Sequence, residues 1–452
     1  MTTSQGEHAI VIGASMAGLL AARVLTDHFA RVTIVERDQL ADAPTPRKGV
    51  PQARHAHILL VRGRQILDQL FPGLVEDLIK DGAVLFDSTY DAKQLSPTGW
   101  TPRVPASLFT ISCSRDLLEW RVRQRLFQNP RVTFVPETDA VGLLVNGSGV
   151  NGARVRARGA TRNVQELRAE IVVDASGRSS HTAEWLTELG YPTPSVTTIN
   201  PHLGYASRIF ARPLRATTDW KVVLIQSRAP TLKRAGAVLP IEGDRWIVTL
   251  AGYGRDFPPT DEAGFLEFAK SLAAPDIYDA IRDAPPLSSI AGYQRTENQM
   301  RHYERVERWL ENFFVLGDSV SAFNPIYGQG MTNAAQSALT LDAVLRGGIS
   351  GTARRFQKAL AKQNATAWLL ATSEDFRFPT TEGVRPGLSL RFSQWYVNQV
   401  IETLVDEPRV FHIFSEVGHL LKPPTALFHP YVIAKVIRHK VARAQAATRA
   451  IP

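Results

Sequence analysis

A chain of 452 residues, 44% apolar and 21% charged, has the composition of a globular protein with a core large enough for two or three structural units. Its formal charge of +9 is scattered, without Lys/Arg runs interleaved with aromatics, so nucleic-acid binding is not expected. Cys113 is the only cysteine, which excludes intramolecular disulfides; with no membrane-spanning apolar run and no leader pattern, a cytoplasmic protein is expected.

The first element is a β-α-β unit: an apolar strand at Ala9–Gly13, an Ala/Leu-rich helix from Met16 to Asp27, and a second strand from Arg31 to Glu36. The turn Gly13-Ala-Ser-Met-Ala-Gly18 joins strand to helix. Gly13 permits a tight turn, small Ser15 leaves the backbone open to a pyrophosphate, and Gly18 lets helix and strand pack closely. Met16 and Ala17 open the helix. Glu36, followed by Arg37, ends the second strand; an acid there accepts hydrogen bonds from an adenosine ribose 2′-OH and repels a 2′-phosphate. FAD or NAD is therefore expected, and NADP is not.

A polar, Pro-rich loop covers residues 42–57 and contains Arg47, Gln52, His55 and His57. A helix is predicted over 57–70, strands near 84–86 and 109–112, and a helix over 114–127 with Arg115 placed to meet a phosphate or adenine edge. Residues 131–174 read as strands with turns at Asn146-Gly147 and Asn151-Gly152, ending in the carboxylate of Asp174. Longer alternating strands fill about 200–300, including a hairpin turning at residues 242–244, and the chain beyond 331 is predicted to be mostly helical. No internal repeat is found.

Residues 313–331 read as a buried strand ending in Gly317-Asp318, a loop containing Pro325, and a helix opening at Gly328-Gln329-Gly330, with Met331 next. A carboxylate at a strand end can hold ligand hydroxyls, and free N–H groups at a helix start can hold developing negative charge. Three such elements, at Arg115, Asp174 and Asp318, favour FAD over NAD.

At these residues the chain resembles the flavoprotein monooxygenases built on the para-hydroxybenzoate hydroxylase fold, over roughly residues 8–345. The resemblance implies an α/β (α+β) fold: a Rossmann-like FAD-binding domain (1–195, with residues 45–110 contributing to the substrate site, and a return segment 301–350), an inserted β-sheet substrate domain (196–300), and a helical C-terminal region (351–452). It implies that Asp318 holds the flavin ribityl hydroxyls, that the Gly328–Met331 helix start faces the isoalloxazine, and that Arg115 lies near the pyrophosphate. The stretch Asp174–Ser180 is a variant of the family's Asp-Gly motif, with Ala-Ser inserted before Gly177. Residues 47–57 and 323–330 most resemble the branch containing squalene epoxidase and bacterial polyene epoxidases. The histidine that many aromatic hydroxylases carry shortly after Gly-Asp is replaced by Ser321 or Ala322. The Trp-x-Trp-x-Ile-Pro pattern of flavin-dependent halogenases is absent.

The function implied is epoxidation or hydroxylation of a lipophilic polyene, isoprenoid or polyketide through a flavin C4a-hydroperoxide, since reduced flavin and oxygen carry the hard step. The alternatives are a flavin-dependent C=C reductase and a non-redox cyclase or binding protein in which FAD shapes the pocket. Arg47, Gln52, His55 and His57 are the candidate catalytic residues, as an active-site wall or as caps of the next helix. No metal site is expected. With no second glycine motif, NAD(P)H is expected as a transient reductant, either directly or through a partner flavin reductase. The basic, amphipathic segment His429–Arg443 suits packing on the core, or weak contact with an anionic membrane or a carrier protein.

Overall fold

The computed structural model describes residues 6–213, 218–384 and 387–449; the first five and last three residues of the expected units lie outside that range. In chain order the elements are β1 (Gly6–Ile12), α1 (Met16–Leu25), β2 (Phe29–Val35), α2 (Val61–Leu70), α3 (Leu74–Lys80), β3 (Val84–Asp87), β4 (Ala92–Ser96), β5 (Gly99–Trp100) and β6 (Phe109–Ser112). They continue with α4 (Arg115–Phe127), β7 (Val132–Val135), β8 (Thr138–Asn146), β9 (Gly149–Ala157), β10 (Gln165–Arg168), β11 (Ile171–Asp174), α5 (Thr182–Glu188), β12 (Val196–Ile199) and β13 (Gly204–Ala211). Next come β14 (Val222–Ile225), β15 (Arg234–Ile241), β16 (Arg245–Gly252), α6 (Glu262–Lys270), α7 (Asp276–Ile281), β17 (Ala291–Tyr293), β18 (Asn298–Arg301), β19 (Phe313–Val315) and β20 (Ser321–Ala322). Four long helices follow: α8 (Gly330–Leu345), α9 (Ala353–Asp375), α10 (Leu388–Thr403) and α12 (Pro430–Arg449), with the shorter α11 (Pro408–Gly418) before the last.

Five parallel strands form the first sheet, in the order β19-β11-β1-β2-β7. Its central strands are apolar along their length because helices cover the sheet. Eight of the ten residues of α1 are buried, packed between this sheet and α8. The register pairs Ile12 with Asp174, and Asp174 with Val315. The ends of β1, β11 and β19, and the loops after them, therefore share one edge, where ligands bind in open α/β sheets.

A seven-stranded sheet, β17-β13-β16-β15-β14-β4-β5, stands beside it. Its β15–β16 hairpin turns at residues 242–244, as the sequence predicts. β4 enters from far upstream and pairs in parallel with β14. A third, small sheet, β12-β18-β20, straddles residue 300, so division of the chain at residues 195, 300 and 350 is a proposal here. α9, 23 residues and roughly 35 Å long, bridges the two regions. Near its start Phe356 meets Phe314 edge-on at 5.5 Å, while its last residue, Asp375, reaches the loop after β20.

Three local expectations are corrected. The helix predicted from residue 57 starts at Val61, because residues 57–60 are held extended between the two sheets by the Leu59 carbonyl, which Thr110 bonds, and by Ala56 N–H, bonded to Thr249. Asn151-Gly152 is no turn: Gly152 sits inside β9 at φ +149°, where a Cβ would strike the Leu167 carbonyl of β10. The strand before Asp318 ends at Val315, and Gly317–Ser319 forms a 3-10 turn.

Candidate functional site

The Gly-rich turn folds as its residues require. A Cβ on Gly18 would overlap the Gly13 carbonyl oxygen, so only glycine lets α1 start so close to β1. Met16 is buried behind the turn, while Gly13, Ser15 and Ala17 are half-exposed on its open side. Glu36 is buried beneath it: one carboxylate oxygen accepts Ala14 N–H at 2.6 Å and the other accepts Asp38 N–H at 2.8 Å. Arg37 points to solvent, with its carbonyl accepting from Arg158.

Arg47 turns toward the Gly-rich turn. Its guanidinium lies 2.8 Å from Glu36, donates to the Ala14 carbonyl at 2.8 Å, and meets Glu119 at 2.5 Å. Three buried carboxylates (Glu36, Asp38 and Glu119) converge there, and buried carboxylates need a counter-charge. Burial opposes the charge on Arg47, but Glu119 and Glu36 outweigh it and hold its pKa above the ordinary value. Arg115 starts α4, whose Ser114 cap accepts Leu117 N–H at 3.1 Å. It bonds Ser15 Oγ and Glu119, each at 2.8 Å, and its Nε is buried without a partner. Glu119, missed by sequence reasoning, was legible as an acid one helical turn beyond Arg115.

The other end of the cradle lies a few ångströms away. A Cβ on Gly317, at φ +64°, would come 2.6 Å from Ala17 Cβ, so the turn before Asp318 rests against the first turn of α1. Burial pushes the Asp318 carboxyl up, while Arg178, Arg115 and Arg301 pull it down. Pro325 is exposed at the start of a 3-10 turn, Pro325–Tyr327, closed by Gly328 at φ +64°. Gly330, exposed and with open space around it, begins α8; Met331 is buried. The side-chain oxygens of Gln329 and Thr332 at this helix start are buried and unpartnered.

Asp174 has a different place from the one expected. It is fully buried, and its oxygens accept from Ser176 N–H at 2.9 Å and from the hydroxyls of Ser176, Ser180 and Thr182. It therefore shapes the loop after β11, whose four polar groups saturate the carboxylate. That loop positions Arg178, which donates to the Phe323 carbonyl at 2.9 Å, and Gly177 N–H, which donates to Ser319 Oγ at 2.8 Å.

Gln52 is half-buried in the turn Pro51–Arg54. His55 is buried against the seven-stranded sheet: its Nδ1 lies 2.7 Å from Ser207 Oγ, which lies 2.6 Å from Thr249 Oγ1, and its ring meets Tyr293 and Tyr205 at 5.5 and 6.0 Å. Burial, with help from Arg54, lowers its pKa to about 4. His57 lies 2.9 Å from the His55 carbonyl; burial and then Arg115 lower its pKa to about 3. Both rings are neutral at pH 7, as hydrogen-bonding walls rather than cations. Neither caps α2.

A cluster with no sequence signal completes the site. Asp375, at the end of α9, is fully buried and accepts from Asn298 at 2.6 Å, Tyr327 at 2.7 Å and Asn324 at 2.9 Å. The Tyr327 hydroxyl lies 3.3 Å from that of Tyr253, at the end of β16. Burial raises Asp375 to about 7, against the pull of Tyr327, Asn298 and Asn324. Among the described residues no group of three or more His, Cys, Asp or Glu could hold a metal ion.

These residues fit FAD on the structure's own terms. A glycine cradle, a buried unpartnered Arg115 Nε, a carboxylate on the Gly317–Ser319 turn and an open helix start line one edge of the sheet.

Residues 7–368 match the family described as the FAD binding domain. Protein Rv3254 of Mycobacterium tuberculosis (strain ATCC 25618 / H37Rv) is 33% identical over 393 residues, covering 82% of this chain and 81% of its own. The 6-methylpretetramide 4-monooxygenase of Streptomyces rimosus is 26% identical over 374 residues, 78% of each chain. Among solved structures, the flavin-dependent brominase Bmp2 superposes with a TM-score of 0.67 at 14% identity, over 97% of this chain and 100% of its own. PqsL of Pseudomonas aeruginosa, solved with 2-aminobenzoylacetate, superposes with a TM-score of 0.58 at 17% identity, over 92% and 100%. At such identities the two structures establish a shared fold.

Proposed function

This chain belongs to the FAD binding domain family, and from that premise we propose that it is an FAD-dependent monooxygenase that hydroxylates or epoxidises a lipophilic substrate of polyketide, polyene or isoprenoid type. One observation carries the reading. The Tyr253–Tyr327 contact brings the seven-stranded sheet against the loop leading into α8, and His55 seals the adjoining wall through Ser207. Close packing of the sheet on that loop is the kind of contact that keeps water from a reacting centre. The similarity to 6-methylpretetramide 4-monooxygenase supports a polyketide-like substrate over a plain polyene.

In this reading, Glu36, Ser15 and Arg115 hold the adenosine and pyrophosphate, Asp318 the ribityl hydroxyls, and the N–H groups at the start of α8 the ring's negative edge. FAD, once bound and reduced, supplies the chemistry by which one atom of molecular oxygen reaches carbon. The chain's own task is to bind, orient and exclude water. Reducing equivalents come from NAD(P)H, directly or through a partner reductase.

For partners we propose brief contact with an anionic lipid surface through the last helices. Phe392 and Trp395 on α10, and Ile433, Ile437 and Val441 on α12, are exposed, and Lys440 lies 4.5 Å over the Trp395 ring, so the two apolar rows adjoin under a basic rim. The function is tested by following NAD(P)H-dependent oxygen consumption with a panel of lipophilic phenols and polyenes. Substrate-stimulated uptake with an oxygenated product is expected; reduction of a C=C bond without oxygen would replace this reading.

A further inference from the structure

We propose that the groove between α8, α9 and the start of α2 is a binding site for an elongated dianion with an apolar middle, of the α,ω-dicarboxylate class. The groove has a volume of about 630 Å³, within the range of small-molecule sites, and opens to solvent. Small side chains make the room: Ala343 of α8 and Ala359 of α9 face it beside Leu339, and larger residues at the two alanines would fill it. It lies apart from the Gly-rich turn and from the Gly317–Ser319 turn, whose residues do not line it.

Arg62 and Arg355 stand toward its two ends. A Cβ on Gly63 would strike Thr332, so the start of α2 rests on the first turn of α8, and Arg62 lies toward the Gln336 end of the groove. Arg355 donates to the Val344 carbonyl, in the last turn of α8, at 3.0 Å. That bond fixes its guanidinium at the other end and leaves its remaining N–H groups to donate. From Gln336 to Val344 the helix rises roughly 12 Å. Between the two cations the floor is hydrocarbon.

The charges of this groove are unbalanced. No Asp or Glu lines it, and α9 carries none from Ala353 to Ser373. Both arginines also sit in the first turn of their helices, where the dipole favours acids, and neither first turn holds one. That arrangement is unfavourable until an anion arrives. A guanidinium fork matches the two oxygens of a carboxylate, so two forks facing one groove call for two carboxylates. A neutral lipid would leave both cations unmatched, and a monoanion would leave one. The wall is already in place: Gln363 Nε2 donates to Asn333 Oδ1 at 2.9 Å and to Gln336 Oε1 at 3.0 Å, tying α9 to the first turns of α8. A preformed wall leaves little to be ordered on binding.

The test titrates the FAD-loaded protein calorimetrically with octanedioate, octanoate and 1,8-octanediol, which share one chain and differ in their end groups. Flavin absorbance is read in every sample, so loss of the cofactor, which bears on the monooxygenase reading, is seen separately from any failure of the groove. Octanedioate is expected to bind saturably, and more weakly as salt rises. Octanoate should bind roughly tenfold more weakly, and the diol not measurably. Arg62→Gln and Arg355→Gln should each weaken octanedioate roughly tenfold, bringing it level with octanoate. Ala343→Trp, at an exposed position outside the core, fills the groove and should abolish binding with flavin content unchanged. No saturable binding of octanedioate, equal binding of octanoate or the diol, or binding that survives Ala343→Trp would overturn the proposal.

Discussion

Arg47 and Glu36 meet at 2.8 Å beneath the Gly-rich turn, with Arg47 also bonded to Ala14 and Glu119. The loop read as a substrate wall is thus fastened through Arg47 to the Gly-rich turn, and its later part, from His55, faces the seven-stranded sheet. Removing the guanidinium would leave Glu36 and Glu119 buried without their counter-charge. Arg47→Met should therefore destabilise the protein by about 3–5 kcal/mol and weaken FAD retention, as read by urea unfolding and flavin absorbance. A variant as stable as the parent would show that this cluster does not hold the loop.

Asp318 stands apart from such clusters: among the described residues no side-chain ion pair is formed with it, and burial raises its pKa against the pull of Arg178, Arg115 and Arg301. A carboxylate kept so is poised for ligand hydroxyls. Asp318→Ala should lower FAD affinity roughly tenfold or more, with the circular dichroism of the FAD-free protein little changed. Undiminished flavin affinity would remove Asp318 from the cofactor site.

The pH dependence of stability should carry two opposed contributions. His55 falls from 6.5 to about 4 on folding, so the folded state binds fewer protons and stability is lost as pH drops below 6.5. Asp375 rises from 3.8 to about 7, so the folded state binds more protons and stability is lost as pH climbs through that window. Asp375→Asn should remove the second contribution, worth at most about 4 kcal/mol, and flatten the decline toward neutral pH. His55→Gln should flatten the acid limb. Thermal melts of each variant between pH 4 and 8 check both signs; parallel curves for parent and variants would refute them.

The exposed rows on α10 and α12 give a prediction independent of the flavin. Sedimentation with phosphatidylglycerol vesicles should exceed that with phosphatidylcholine vesicles and fall with salt, because the basic rim is screened. Trp395→Ser with Ile437→Ser should reduce it severalfold. Binding indifferent to lipid charge, or concentration-dependent dimers that cover this face instead, would overturn the lipid reading.

The nucleotide-binding half was legible because its logic is local. Gly13, Gly18 and Glu36 lie within one β-α-β unit, and Gly317-Asp318 and Gly330 lie within one strand-to-helix segment, so spacing alone reports their geometry. The partners of Arg47 were not legible because they are long-range: Glu119 is 72 residues away in sequence. The loop contacts of Asp174 were not legible because a carboxylate at a strand end looks the same in sequence whether it meets a ligand or its own loop's hydroxyls. Asp375 was invisible for a related reason. It sits at the end of a long, ordinary helix, and its meaning appears only where that helix crosses the two sheets to meet Asn298, Asn324 and Tyr327.

The most direct measurement of the account is incubation of the FAD-loaded protein with NAD(P)H, a flavin reductase, a polycyclic phenol and isotopically labelled oxygen gas, followed by mass spectrometry of the product. A product carrying one labelled oxygen atom, formed only when FAD is bound, is the result predicted. Turnover of the phenol with no label in the product, or oxygen consumed without any product, would contradict it.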